Sequence, residues 1–143
     1  MVKKTASDNL RIVFGSEEFR KAAIDAMQKI AADNSNTIIR KHRRYRDSSL
    51  MVADDTCESV KYIVKAQNGK RVFCISQIYI QGLGSYEFAV KIKGQNQSGK
   101  FSYGDLEKLY NAVELVYDAQ KTREKVYSAR EKRIVHFLSG FVR

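Results

Sequence analysis

The chain of 143 residues has no proline and no tryptophan, only two cysteines and two histidines, and 16 acidic residues against 26 basic ones. The lack of tryptophan carries no functional reading. The lack of proline means that no proline-rich linker divides the chain. Cys57 and Cys74 show no metal-ligand or redox spacing, and two such cysteines argue against a structural disulfide. Cys74 falls within a strand-like run and reads as a free buried thiol. No histidine lies near Cys57 in sequence, so a Cys–His nucleophile has no support. No apolar run approaches the roughly 20 residues of a membrane span. Met1 to Asp8 lacks the apolar stretch of a secretory signal, which points to a cytoplasmic protein. Internal repeats are absent as well.

What is present suits one globular unit. The apolar fraction of 43% and the length allow a sizeable core without staples. Residues 1–15 read as a loosely held arm, with a short strand at Leu10–Phe14, and residues 16–143 as one α+β domain.

The shortage of acid leaves a net charge of +10 and a pI near 9.7. That excess is clustered. Residues 36–53 hold five cations against one carboxylate, and residues 70–101 five against one, while residues 54–69 are net acidic. The densest part is Arg40-Lys41-His42-Arg43-Arg44-Tyr45-Arg46, where like charges repel unless an anion faces them. A balance of this kind points to nucleic acid, whose phosphates release counterions to Lys and Arg.

Hydrophobic periodicity orders the rest. Ser16 reads as an N-cap with Glu17 and Glu18 at the positive helix start. Phe19, Ala22, Ala23, Ala26, Met27, Ile30 and Ala31 form a helical stripe that ends at Asp33–Asn36. From Thr37 to Lys93 the period is two. Strands are expected at Thr37–Tyr45, near Leu50–Val52, at Val60–Ala66 and at Arg71–Ile80. The Asn68-Gly69 turn joins the last two and pairs Val64 with Phe73 and Tyr62 with Ile75. Gly82–Gly84 makes the next turn, and an alternating strand follows through Tyr86, Phe88, Val90 and Ile92. Lys93–Lys100 reads as a polar loop. Ser102 caps a second helix, with Asp105 three residues on and Phe101 and Leu106 as a hydrophobic staple. Its stripe is Leu106, Leu109, Tyr110, Val113, Val116 and Tyr117. Beyond Gln120 the pattern turns polar, leaving open whether the helix continues or breaks near 118–123. The expected fold is α+β, an antiparallel meander of four or five strands between an N-terminal helix and a long C-terminal one. This order is similar to that of double-stranded-RNA-binding domains and single-strand-binding curved-sheet folds. The likeness is one of element order, without their diagnostic motifs.

In strand geometry Arg40, His42, Arg44 and Arg46 share one face, while Lys41, Arg43 and Tyr45 take the other. Two charged faces cannot both be buried, so the segment is expected at a sheet edge or in a protruding hairpin. Charged edges also guard against aggregation, but arginine predominates here, and its fork suits phosphate. Tyr62, Phe73 and Tyr79 share a face, with Arg71 and Lys91 expected nearby, either to stack bases or to fill a core.

Gly94–Lys100 fits the first seven positions of a phosphate-loop pattern. Phe101 then replaces the Ser or Thr that would hold magnesium, and antiparallel hairpins lack the crossover helices such enzymes need. Asp54, Asp55 and Glu58 form the one compact acidic group and read as a turn rather than a metal site. His42 lies among cations and His136 among apolar residues, neither with an orienting carboxylate in sequence. No set of residues supplies nucleophile, base and stabiliser together, and no cofactor is implied.

The expected function is non-enzymatic binding of DNA or RNA. Arg40, Lys41, Arg43, Arg44 and Arg46 would contact phosphates, Tyr45 would stack, and Arg71, Lys91, Lys93 and Lys100 would extend the path. The alternative is an inhibitor or adaptor docking the basic strip on an acidic protein. The C-terminal cations Lys121, Arg123, Lys125, Arg130, Lys132 and Arg133 alternate with Glu124 and Glu131, as on a solvated helix. Ile134, Phe137, Leu138 and Phe141 could form a homodimer contact or pack back on the sheet.

Overall fold

A computed structural model describes the backbone of residues 17–141 and the side chains of residues 17–124. The N-terminal arm, the Ser16 cap and the side chains of Ile134, His136, Phe137, Leu138 and Phe141 lie outside the described residues.

Helix α1 spans Glu17–Ala32, with Glu17 and Glu18 in its first turn. It ends where Asn36 donates its side-chain amide to the Ile30 carbonyl at 2.9 Å, satisfying a carbonyl the helix leaves unpaired. The Asp33 carboxylate accepts from the Ser35 backbone amide at 2.9 Å and sets the turn. The buried stripe is Ile24, Met27 and Ala31. Ala22 and Ala26, expected on it, are exposed. Alanines add so little apolar area that Ile24 decides which face turns inward.

Five strands follow: β1 (Thr37–Arg46), β2 (Thr56–Lys65), β3 (Arg71–Ile80), β4 (Ser85–Ile92) and the short β5 (Gln95–Asn96). They lie side by side in chain order, each antiparallel to the next. Val64 pairs with Phe73 and Tyr62 with Ile75, as the Asn-Gly turn requires. Gly69 sits at φ +80, a conformation glycine reaches without a steric cost. No strand forms at Leu50–Val52. Asp47 caps a 3₁₀ turn at Ser48–Leu50 by accepting from the Ser49 amide, and Met51 at φ 52 closes it in the left-handed region. Side-chain capping there overrides the β-propensity of the apolar residues. The expected loop at 93–100 likewise contains structure: a tight turn at Lys93-Gly94 returns the chain as β5, followed by a 3₁₀ turn at Ser98–Lys100.

Helix α2 runs unbroken from Tyr103 to Phe141, so there is no break near 118–123. At about 1.5 Å per residue, its 39 residues extend about 58 Å. The Ser102 hydroxyl accepts from the Asp105 amide at 3.2 Å, and Phe101 and Leu106 both pack into the core.

Both helices cover the same face of the sheet, rather than one on each. The core joins Ile24, Met27 and Ala31 of α1 to Leu106, Leu109, Tyr110 and Val113 of α2. Beneath them lie Ile38, Tyr62, Val64, Phe73, Ile75 and Val90 of the sheet. The opposite face carries Lys41, Lys61 and Lys91 beside the buried Cys57, Ile63, Cys74 and Ile80. An apolar helix stripe laid there would bury unpaired ammonium groups, at heavy desolvation cost.

Candidate nucleic-acid interface

The basic run forms most of β1, which is an edge strand. Arg40, Lys41, Arg43, Arg44 and Arg46 are exposed, and Tyr45 is half-buried. The alternation read from sequence holds, because the register places each residue opposite a partner on one face or the other.

On the helix-covered face, Arg40 pairs in register with Tyr62. The Tyr62 phenol donates to the Glu114 carboxylate of α2 at 3.3 Å. Burial, then the charge of Glu114, pushes that phenol up to about 12. His42 has a carboxylate after all: its Nε2 lies 2.6 Å from Glu58 Oε1 across the β1–β2 ladder, with both side chains half exposed. Sequence distance had hidden that pair. The contact is a hydrogen-bonded pair at the surface of the sheet edge. Arg46 Nε donates to Asp55 at 2.7 Å. Arg44 lies in one cross-strand row with Glu58, Tyr79 and Tyr86. The two tyrosine rings stand 4.9 Å apart, and Tyr86 is 49% exposed.

On the open face, Lys41, Lys61 and Ser76 form one row across β1, β2 and β3. Lys91 stands one row away, opposite Cys74. With Arg43 and Tyr45 they line a concave cavity of about 520 Å³, floored by Ser59, Ile78 and Ala89. The Arg43 guanidinium lies 4.8 Å from the centre of the Tyr45 ring, a cation–π distance that pre-orders both groups. Burial raises the Tyr45 phenol above its ordinary value, so the ring is neutral at physiological pH. Among the described residues no acidic side chain lines this cavity. Its edge toward β4 carries Glu87, which pairs in register with Ile78.

Other expected contributors lie elsewhere. Arg71 begins β3, and the Lys93 amide donates to the Val72 carbonyl at 3.0 Å. Both therefore sit at the sheet end near Thr37, some six residues or about 20 Å from Arg43 along the strand. Lys100 lies in the 3₁₀ turn before α2. Tyr62 and Phe73 are core residues at 1% and 2% exposure, which removes them as a stacking surface. Lys91 is on the other face from them, because it pairs with Cys74.

The acidic group disperses. Asp54 accepts from Thr56, whose hydroxyl and amide hold its carboxyl below the usual range; Asp55 takes Arg46, and Glu58 takes His42. Cys57 and Cys74 are free and buried, and burial pushes the Cys57 thiol up. Gly94–Lys100 belongs to an antiparallel hairpin and a 3₁₀ turn, without the parallel crossover of a phosphate-loop fold.

Sequence reading missed Lys61 and Ser76. The Asn-Gly register already pairs them with each other. Their approach to Lys41 depends on the connection at 47–55, whose course short-range signals do not set. No helix among the described residues is long and apolar enough to cross a membrane. Comparisons with known protein families, curated proteins and solved structures find no match for the chain, so its function rests on the geometry of these faces.

Proposed function

We propose that the chain is a non-enzymatic nucleic-acid-binding protein that contacts phosphates through β1 and the adjoining open sheet face. The observation that carries this reading is the pairing pattern of the charges. His42 and Arg46 have carboxylate partners. Among the described residues no ion pair engages Lys41, Arg43 or Arg44. Exposed arginines without internal partners, next to an ordered aromatic ring, suit phosphate forks and base or sugar stacking. Binding of this kind is mostly electrostatic, with weak sequence preference.

The test is fluorescence anisotropy with short single- and double-stranded DNA and RNA across a salt series. Wild type is compared with Arg43→Ala/Arg44→Ala, whose folding is checked by circular dichroism. Each lost phosphate contact flattens the log–log salt slope by about 0.7 to 0.9. No binding near physiological salt sinks the proposal.

One observation favours a second reading. β1 offers a ten-residue edge, and an acidic extended protein segment could add to it as a further strand. Capture of an acidic partner by a protein that ignores nucleic acid would select this alternative.

A further inference from the structure

The open-face cavity is a less expected feature than the basic edge. Lys41 and Lys61 are directly opposite each other on neighbouring strands, which places their Cβ atoms about 5 Å apart. Like charges so placed destabilise a sheet. A third ammonium, Lys91, joins the same cavity; among its described lining residues none is a carboxylate, and Glu87, opposite Ile78, stands near enough to act on Tyr45. Among the described residues Ser76 is the one buried polar residue, 7% exposed, and it lies in the same row as the two lysines. Three cations around a hydroxyl make a site shaped for a tetrahedral oxyanion.

Size narrows the ligand. The cavity of about 520 Å³ falls within the roughly 300–1,000 Å³ of small-ligand pockets. It is concave, whereas a duplex presents its phosphates on a stiff convex cylinder. A single strand can turn one phosphate into a hollow and lay the adjacent base on a neighbouring ring. Tyr45, held beside Arg43 on the cavity wall, is such a ring.

We infer that this face is a single-strand site: Lys41, Lys61 and Lys91 grip one backbone phosphate, Ser76 donates to it, and Tyr45 stacks the adjoining base. The inference rests on the nucleic-acid reading above and adds Lys61 and Ser76 to its residues. Phosphate in the hollow removes the Lys41–Lys61 repulsion, so occupancy also stabilises the fold.

The experiment compares anisotropy of a labelled oligothymidylate with that of a duplex of equal length, for wild type, Lys61→Gln and Lys91→Gln. Polyglutamate serves as a competitor, and thermal melting is run with and without the oligomer. Single strand is expected to bind wild type about tenfold tighter than duplex. Either lysine variant should lose about fivefold or more on single strand and little on duplex. Neither should melt below wild type, since each removes a cation from a repelling group. Lys91→Gln keeps the test intact should Lys61→Gln fold poorly.

Equal affinity for both polymers overturns the single-strand site. So do unchanged binding in the lysine variants, and polyglutamate competing as well as the oligomer. If Arg43→Ala/Arg44→Ala still weakens binding in the first two cases, the nucleic-acid reading survives without the hollow. Absence of all nucleic-acid binding removes both.

Discussion

The two faces of this sheet use the same strands for opposite purposes. On one face Tyr62, Val64, Phe73, Ile75 and Val90 are nearly solvent-free beneath two helices. On the other, shifted by one residue, Ile63 and Cys74 are buried too, but Lys41, Lys61, Lys91 and Arg43 line a cavity. A period of two puts both sets into one stretch of chain. The covered face gains from every apolar contact, whereas the other face sets like charges side by side.

The sharpest way to break this comparison is to cut into the covered face. Phe73→Ala should cost about 3–5 kcal/mol in urea unfolding, from lost transfer energy and the cavity left behind. A cost no larger than that of an open-face substitution would mean that the helices do not pack as described.

Next in size is the response to alkali. The Tyr62 phenol ionises near 10 in the unfolded chain but only at about 12 in the folded one, and Tyr110 shifts the same way. Both shifts come first from burial, which disfavours the charged form. The unfolded state therefore releases these protons first. Stability should be level below pH 10 and fall as pH rises through 10 to 12. Urea midpoints measured upward from neutral pH check this, and Tyr62→Phe should shrink the fall. A decline already complete before pH 10 would show that these phenols are not its source.

The smallest effect has the opposite sign. Lys41→Thr, on the open face, should raise stability by about 0.5 kcal/mol by removing one of two facing ammonium groups. Added salt should narrow the gap to wild type, because it screens the repulsion. A loss of stability instead would mean that Lys41 packs rather than repels.

Much of the fold could be read from local signals. Asn68-Gly69 placed the β2–β3 register correctly, since an Asn-Gly turn fixes which residues face each other. Ser102, Phe101 and Leu106 marked the start of α2, where capping needs neighbours only a few residues apart. Leu50–Val52 misled because Asp47 caps a turn there, and three apolar residues do not announce a competitor upstream. Of the α1 stripe Ala23, Met27, Ile30 and Ala31 were placed inward correctly and only Ile24 was missed among alanines, whose small side chains make adjacent stripes nearly equivalent.

The basic strip itself was legible, down to which residues alternate, because strand periodicity is a covalent property of extended chain. That it forms an edge followed from charge on both faces. Its partners did not follow. Glu58 reaches His42 from sixteen residues away, and Glu114 reaches Tyr62 from fifty-two. Such pairs depend on register between strands and on where a helix lands, and no local signal carries either.

By itself, then, the sequence determined the two helices, the four long strands, most turns, the meander order and the location of excess charge. Those depend on propensity, periodicity and neighbours within a few positions. Only the tertiary structure decided that both helices share one face and that Lys41, Lys61, Ser76 and Lys91 meet on the other. The physical reason is that apolar stripes state that a helix must be covered, not what covers it. Which residues each face offers as a cover appears only once the strands are in register.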